Sequence, residues 1–386
     1  MISYLALYIF LFIAAVPAIY YTLVLISSFS FFPRALKSTN YTPPLSILKP
    51  IRGLDPDAYE NFASLCRQNY PEYEILFCVS DEDDPVLPTL EKLIRDFPDR
   101  SIRILYGSGS NAPNDKVAKL ARLVREAKYE TVVIGDSDVR VAPDYLRSVV
   151  TPLADPKVGA VTCFYMPART RTLAENLLAI GMVSDFYAGL LVDWKLEGVK
   201  FALGPTIATT RARLAEFGGF QAIENQCGDD LLVGRLIAER GHTVELLPYT
   251  VLKYAGFQSV DELFDKRLRW MVVMRNMRPW GHFGLLFTLG LPWALAAIAV
   301  HPSAPVAVAY LGAYVAFRFA ITWSICVRGL KQPLTWKEIL LIPVWDLVAF
   351  CIWLASFLRK TVRWRDAEYY IRDGILVPLN SPTPEE

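Results

Sequence analysis

Three groups of aspartates could do chemistry, because each stands where a helix or a strand would begin or end. They are Asp81–Asp84, the motif Asp136-Ser137-Asp138 and the adjacent pair Asp229-Asp230. Two carboxylates one residue apart offer hard oxygen ligands, which suit Mg²⁺ or Mn²⁺ together with phosphate oxygens. Two adjacent carboxylates can provide a general base, whose pKa burial and its neighbour would tune.

Each group also has a purely structural explanation. Aspartate is a common turn residue, so the first group could simply form a solvated turn. For this group alone, the structural and the functional explanation both remain open. The adjacent pair could cap a helix that continues from Leu231 and complement its dipole. Helix capping accounts for one aspartate better than for two, so the pair favours a functional role.

A basic and aromatic segment could serve a departing phosphate group. It contains Lys266, Arg269 and Trp270, with Arg275 and Arg278 further on. Cationic side chains can clamp a diphosphate, and the tryptophan could pack on an acceptor. The same residue types also anchor helices at a membrane surface, and the segment alone favours that role.

The elements that must position these residues lie in a middle block, residues 40–280, where β-like runs alternate with helical patterns. This alternation predicts a parallel sheet of βαβ units, whose ligands bind beyond the carboxyl ends of the strands. The predicted strands are 46–50, 73–79, 102–105 and 131–134, and the predicted helices are 58–69, 86–97 and 116–127.

Apolar segments flank this block and predict a membrane protein. Residues 1–33 contain no charged side chain and lack the features of a cleaved signal peptide, so we expect a retained anchor. Further spans are predicted at 284–300 and 306–327, and a third candidate at 339–358 contains Pro343 and Asp346. The predicted division is therefore an anchor over 1–33, a cytosolic catalytic domain over 40–280, two to three spans within 281–360 and a tail over 361–386.

The orientation follows from positive charge. Arg34 and Lys37 directly follow the first span and predict a cytosolic middle block. The tail carries Arg359, Lys360, Arg363 and Arg365, which also favours the cytosol, whereas counting full crossings places it outside. A re-entrant 339–358 segment would remove this conflict, and both alternatives remain open.

Two further features lie in apolar surroundings. The segment Leu173–Trp194 could lie in the membrane interface and guide a lipid, or pack in a core. Arg318 and Asp346 fall within predicted spans, where charges are functional candidates unless they pair with each other or face water.

Composition excludes several classes of protein. The chain is 53% hydrophobic and 20% charged, with a formal net charge of +1. This balance excludes a disordered protein and gives no basic field for nucleic acid. The six cysteines form no CxxC pair, and three histidines are too few for a histidine metal cage. We also expect no obligate protein partner.

Taken in order, these motifs resemble a membrane-bound family 2-type glycosyltransferase. More narrowly, the chain resembles the ceramide glucosyltransferase family (family 21) and its bacterial relative, the hopanoid-biosynthesis glycosyltransferase, over about residues 1–375. The motifs that carry the resemblance are Ile51-Arg52-Gly53-Leu54-Asp55, Gln68-Asn69-Tyr70-Pro71, Asp83-Asp84-Pro85, Asn114-Asp115-Lys116-Val117, Asp136-Ser137-Asp138, Gly218-Gly219-Phe220, Arg269-Trp270, Arg278-Pro279-Trp280-Gly281, Gly290-Leu291-Pro292-Trp293 and Arg372-Asp373-Gly374.

The resemblance implies a GT-A fold and inverting transfer of one hexose, glucose or N-acetylglucosamine, from a UDP-sugar to the hydroxyl of ceramide or a hopanoid polyol. The implied location is the cytosolic face of a membrane, with a bacterial inner membrane favoured. The implied roles are donor binding by Asp81, Asp84, Lys116, Asp136 and Asp138, a divalent cation (Mg²⁺ or Mn²⁺) on Asp138, a base at Asp230 beside Asp229, and leaving-group and acceptor contacts by Lys266, Arg269 and Trp270.

Two positions depart from the family pattern. Lys266 stands where the motif has glutamine or arginine, so a planar fork is replaced by a point charge. Asp229 stands where a glutamate is common.

The alternative functions are a processive polysaccharide synthase, for which so few spans leave little room, and a catalytically silent lipid-binding relative. A transporter would not need the charged middle block.

Overall fold

A computed structural model describes residues 4–34, 40–110, 112–168, 172–254, 259–364, 367–372 and 374–379. Lys37, Arg365 and Asp373 lie outside these ranges. The helices are α1 Tyr4–Ala14, α2 Val16–Phe31, α3 Ala58–Cys66, α4 Leu87–Asp96, α5 Asp115–Glu126, α6 Tyr145–Val150, α7 Leu173–Gly181, α8 Tyr187–Glu197, α9 Arg211–Ala215, α10 Asp229–Glu239, α11 Val260–Met277, α12 Pro279–Gly284, α13 Gly290–Val300, α14 Ala304–Trp323 and α15 Trp336–Leu358.

The strands form an eight-stranded mixed sheet and a small C-terminal group. The large sheet has the order β3-β2-β1-β4-β7-β6-β8-β5. Its strands β1, β2, β3 and β4 are mutually parallel, as are β6 and β8, whereas β7 runs antiparallel to both neighbours. The strands are β1 Leu45–Pro50, β2 Tyr73–Val79, β3 Ser101–Tyr106, β4 Thr131–Ile134, β5 Val139–Arg140, β6 Val158–Pro167, β7 Ile207–Thr210, β8 Thr243–Lys253, β9 Thr361–Trp364, β10 Ala367–Arg372 and β11 Ile375–Pro378.

The chain separates into two compact units. The catalytic unit comprises residues 35–169, 197–256 and 375–386, and it contains the large sheet. The membrane unit comprises residues 1–34, 170–196 and 257–374, and it contains the long apolar helices. Residues 170–196 therefore belong with the terminal helices rather than with the sheet that surrounds them in the sequence.

The first half of the large sheet confirms the predicted βαβ units. The four predicted strands correspond to β1–β4, and the three predicted helices correspond to α3, α4 and α5 with ends that differ by at most three residues. Every residue of β1, β2 and β4 is buried. Strands covered on both faces favour apolar runs instead of strict alternation, and these three strands are mostly apolar. Their buried polar exceptions are Ser46, Lys49, Glu74 and Thr131.

Four helical segments of the described chain are long and apolar enough to cross a membrane. A fifth span is possible if Pro279–Thr288 and Gly290–Val300, which meet at 58°, count as one broken crossing. The segment that contains Pro343 and Asp346 is one continuous helix, α15, of 23 residues. Its length is enough for a full crossing. The four segments are Tyr4–Phe31, Leu173–Glu197, Ala304–Gly329 and Trp336–Leu358.

Within the membrane unit, Arg318 and Asp346 form a buried ion pair. Arg318 donates from Nε to Asp346 Oδ2 at 2.9 Å and from Nη2 to Ser184 Oγ at 3.1 Å. Tyr314 donates its hydroxyl to Asp346 Oδ2 at 2.7 Å. Arg318 and Asp346 thus pair with each other, which is one of the alternatives that the sequence left open. Removal of either charge would leave the other buried without compensation.

The segment Leu173–Glu197 is largely buried, which favours core packing over an interfacial position. Gly181, at the end of α7, lies against the ring of Trp345 on α15, and a Cβ at Gly181 would be 2.3 Å from that ring. The absence of a side chain at this position lets the two helices approach closely, as small residues do in membrane helices.

Candidate active site

The Asp136-Ser137-Asp138 motif follows β4 after a single residue, Gly135, at the carboxyl edge of the parallel strands. Two lysines hold its first carboxylate. Lys116 Nζ lies 3.0 Å from Asp136 Oδ1, and Lys253 Nζ lies 2.8 Å from Asp136 Oδ2. Lys253 Nζ also lies 2.9 Å from Asp138 Oδ1, as an ion pair without hydrogen-bond geometry. Lys253 therefore bridges the two carboxylates of the motif.

Lys116 joins the second acidic group to the third. It stands in the first turn of α5, and its Nζ also lies 3.0 Å from Asp229 Oδ2 at the start of α10. Asp229 is buried, and it is held in this ion pair. The structure thus brings Lys116, Asp136 and Asp229 together, although up to 113 positions separate them in the sequence.

Asp230 has a different environment from its neighbour. Its Oδ2 accepts a hydrogen bond from Gly204 N at 2.9 Å, and its Oδ1 accepts one from Leu231 N at 2.9 Å. A Cβ at Gly204 would lie 3.1 Å from Asp230 Oδ2 and 3.7 Å from Asp136 Oδ2. Glycine at position 204 therefore leaves space between the two carboxylates.

The charges of this cluster set its proton affinities. Burial, and then the charge of Asp229, raise the pKa of Asp230 to about 6. Burial opposes the charge of Asp136, but the ammonium groups of Lys116 and Lys253 outweigh it and hold the pKa of Asp136 well below its usual range. The environments of Asp136 and Asp230 thus push their pKa values in opposite directions, as is typical of acid–base pairs in active sites.

The first acidic group divides into a bound and an exposed residue. Asp84 is buried and accepts hydrogen bonds from Gly53 N and Val86 N, each at 3.1 Å. Asp81 is exposed, and its Oδ1 accepts a hydrogen bond from Asp83 N at 3.1 Å. Asp84 therefore fixes the loop after β1, whereas Asp81 remains on the surface.

The loop after β1 also contacts the Asp136–Asp138 motif. Asp55 accepts a short hydrogen bond from the Ser137 hydroxyl. Since Gly53 in the same loop is bound by Asp84, this loop connects the first acidic group to the second. All three groups thus belong to one continuous network within the catalytic unit.

Two lysines of this network are absent from the sequence prediction. Lys49, near the end of β1, donates to the Asp136 carbonyl oxygen at 2.7 Å, and burial lowers its pKa to about 8. Lys253 ends β8. The rule that ligands bind beyond strand ends could have identified Lys49, because its strand was predicted. No signal identified Lys253, because its proximity depends on how β8 pairs.

The residues predicted for the leaving group and acceptor lie on α11, in the membrane unit. Lys266 and Trp270 are one helical turn apart, with the ammonium 5.7 Å from the ring centroid. Arg269, which lies between these two residues in the sequence, is partly buried. The neighbouring Arg267, which was not predicted, is buried, lies 3.3 Å from Asp185 and covers the ring of Trp345 at 4.8 Å.

The available carboxylate ligands limit how a metal ion could bind. The described residues contain no group of three or more His, Cys, Asp or Glu side chains arranged around a metal position. Asp136 and Asp138 supply two carboxylates. That number suits Mg²⁺, which commonly takes one or two carboxylates and completes its shell with substrate phosphates and water. The residues therefore fit a cation that binds together with a diphosphate.

The chain is similar in sequence to known glycosyltransferases. "Ceramide glucosyltransferase 3" of Caenorhabditis elegans is 22% identical over 358 residues, which cover 88% of this chain and 75% of that protein. A ceramide glucosyltransferase of Gibberella zeae is 35% identical over 161 residues, covering 39% of this chain and 29% of that protein.

A solved structure has a similar fold. The mannosyltransferase PcManGT from Pyrobaculum calidifontis, solved in complex with GDP-Man and Mn²⁺, superimposes with a TM-score of 0.61 at 20% identity, covering 89% of this chain and 99% of that one. The predicted GT-A fold is confirmed. The family model for glycosyl transferase family 21 matches residues 9–377. Because this match covers nearly the whole chain, the protein belongs to glycosyl transferase family 21 and is a membrane glycosyltransferase.

Proposed function

We propose that this enzyme transfers one hexose, glucose or N-acetylglucosamine, from a UDP-sugar to the hydroxyl of a membrane lipid, either ceramide or a hopanoid polyol. The observation that carries the proposal is the network in which Lys116 joins Asp136 to Asp229 while Gly204 holds Asp230. This network brings three carboxylates and an ammonium together at the carboxyl edge of the sheet, which supports a donor site with Asp230 as the base. The family membership and the apolar helices support a lipid acceptor.

The donor binds along the three acidic groups. Asp84 orders the loop that would hold the uridine end, with the exposed Asp81 as a second contact. Lys116 can turn its ammonium from Asp136 to the diphosphate, since an ammonium binds phosphate as a compact point charge. Asp136 and Asp138 would hold a divalent cation, which supplies charge neutralisation of the diphosphate when it is bound.

Asp230 acts as the general base. Its carboxylate takes the proton of the acceptor hydroxyl as the hydroxyl oxygen forms a bond to the anomeric carbon. The bond from that carbon to the β-phosphate oxygen breaks, its electron pair stays on the oxygen, and UDP leaves. A single displacement of this kind inverts the anomeric centre. Asp229 keeps Lys116 in place rather than accepting the proton.

Residues of α11 serve the leaving group and the acceptor. Arg269, with Lys266 one turn away from Trp270, would stabilise the negative charge on departing UDP, and Trp270 would line the acceptor path. Lys266 is expected to act as a point charge, because it cannot make the bidentate contact of an arginine. We propose that this chemistry occurs at the cytosolic face of a bacterial inner membrane.

A transfer assay on purified, detergent-solubilised protein tests the proposal. UDP-glucose and UDP-N-acetylglucosamine are offered with Mg²⁺ or Mn²⁺ against ceramide and bacteriohopanetetrol, and mass spectrometry identifies the lipid product. A lipid carrying one sugar in the inverted configuration is the expected result. A lipid carrying a polymer would favour a processive synthase, and absence of donor consumption under every pairing would favour a silent relative.

The Asp230→Asn variant tests the role of the base. We expect it to bind UDP-sugar with near wild-type affinity and to lose transfer, because the amide keeps the shape of the side chain but cannot accept the proton. Asp81→Asn provides the comparison on an exposed aspartate, for which donor binding alone should weaken. Turnover by Asp230→Asn would contradict the role of this carboxylate.

A further inference from the structure

The backbone of Lys253 is fixed beside the Asp136–Asp138 motif by two strand pairings. Lys253 stands opposite Val139 of β5 and opposite Pro167 of β6. Its carbonyl oxygen accepts from Ala168 N at 3.0 Å, and Tyr254 N donates to the Asp138 carbonyl oxygen at 2.7 Å. The backbone of Lys253 is therefore held in place, whereas its side chain can change position.

That side chain occupies the space between two carboxylates that a cation would use. The ammonium lies 2.8 Å from Asp136 Oδ2 and 2.9 Å from Asp138 Oδ1, and the side chain is 16% exposed. A divalent cation such as Mg²⁺ needs direct contact with carboxylate oxygens, at about 2.0–2.1 Å. An ammonium on the same oxygens would repel it at close range, in a partly buried site where solvent screens the repulsion weakly.

A second partner for the ammonium would arrive with the donor. A diphosphate brings oxygen acceptors and negative charge, and the flexible four-carbon stem of lysine allows its ammonium to turn toward them. Once Lys253 turns, both carboxylates become accessible to a cation. The same diphosphate supplies the additional ligands that two carboxylates lack.

We propose that Lys253 is an internal cation that excludes a divalent metal ion from Asp136 and Asp138 until the donor diphosphate binds, so that metal and nucleotide bind as a coupled pair. This inference rests on the proposed function, because it takes the donor to be a nucleotide diphosphate. Linkage requires the coupling to be reciprocal: UDP tightens Mn²⁺ binding by the same factor by which Mn²⁺ tightens UDP binding.

Binding of Mn²⁺ to the purified protein, measured from the electron paramagnetic resonance signal of free Mn²⁺, tests this inference without catalysis. A titration of Mn²⁺ with UDP in the absence of protein corrects for the complex that they form in solution. In the wild type, we expect UDP to tighten Mn²⁺ binding by about tenfold or more. In Lys253→Met, we expect Mn²⁺ to bind without UDP about tenfold more tightly than it binds the wild type. The coupling to UDP should fall about tenfold below its wild-type value, to the part that direct contact between phosphate and cation supplies.

Two control variants separate this effect from a general loss of positive charge. Lys253→Arg keeps the charge beside the motif and should keep weak Mn²⁺ binding without UDP. Lys49→Met removes a charge from the same cluster, but Lys49 contacts the carbonyl oxygen of Asp136 and not its carboxylate. Its Mn²⁺ affinity without UDP should stay closer to wild type than to Lys253→Met. Thermal unfolding of each variant is recorded first.

Each outcome is decisive. If Lys253→Met binds Mn²⁺ alone as weakly as the wild type does, the inference is wrong, while tight Mn²⁺ binding by wild type with UDP still supports the proposed function. If Lys253→Met does not fold, the wild-type cycle decides, because the absence of coupling between UDP and Mn²⁺ overturns the inference. Absence of Mn²⁺ binding to wild type under every condition overturns both the inference and the metal-dependent donor site.

Discussion

Asp230 should lose its capacity to accept a proton as the pH falls through about 6, the pKa that burial and Asp229 give its carboxyl. The pKa is raised, so the basic form is present above pH 6 and is lost below it. At pH 5 about one molecule in eleven has the ionised carboxylate, and kcat/KM should fall about tenfold from its plateau. At the model-peptide pKa of about 3.9, the same change would cost less than about 10%.

The assay is the initial rate of glycolipid formation between pH 4.5 and 8, at donor and acceptor concentrations well below KM. Under these conditions the profile reports groups of the free enzyme. The Asp229→Asn variant sharpens the test, because removal of the neighbouring negative charge lowers the pKa of Asp230. We expect its acidic limb to move to lower pH. An acidic limb centred near pH 4 in the wild type, or one that Asp229→Asn does not move, would refute this account of the base.

Three further changes have expected outcomes. Asp346→Ala leaves the guanidinium of Arg318 buried without its partner and should destabilise the protein by about 3–5 kcal/mol, whereas Arg318→Met combined with Asp346→Leu should recover most of the loss in thermal unfolding. Gly181→Leu forces atoms into the ring of Trp345 and should lower the unfolding temperature by an amount equivalent to about 1–3 kcal/mol or more; an unchanged temperature would disprove close packing there. Gly204→Ala places a methyl group against the Asp230 carboxylate, which we propose as the base, and should lower kcat about tenfold with little change in unfolding temperature.

Much of the catalytic unit could be predicted from local patterns. Residues of β1, β2 and β4 form short apolar runs bounded by turn residues, and such runs predict buried parallel strands wherever they occur. The aspartates after these runs could be placed at the carboxyl edge of the sheet for the same reason. Their common location needs no knowledge of side-chain contacts.

The second half of the sheet could not be predicted in the same way. In the sheet order β4-β7-β6-β8, the strand direction reverses at β7 and again at β6, and this order depends on contacts between residues far apart in sequence. The position of Lys253 follows from that pairing, because β8 meets both β5 and β6 at this residue. A lone lysine in the sequence carries no sign of it.

The membrane unit shows the same division. Hydropathy alone identified the terminal spans, since about 20 apolar residues in succession are needed to cross a bilayer. Hydropathy did not distinguish an interfacial from a buried position for Leu173–Glu197, because both require an apolar face. Burial of Gly181 against Trp345 and the contact of Ser184 with Arg318 resolved it.

The sequence by itself determined the type and order of the chemical groups: a D-x-D motif, an adjacent acidic pair, a basic segment before apolar helices, and a family pattern that spans the chain. These depend on residue identity and short spacing. Only the tertiary structure decided which charge neutralises which, with Lys116 between Asp136 and Asp229 and Lys253 between Asp136 and Asp138. Electrostatic pairing depends on distances of a few ångströms, and those distances are set by strand pairing and helix packing across long stretches of sequence.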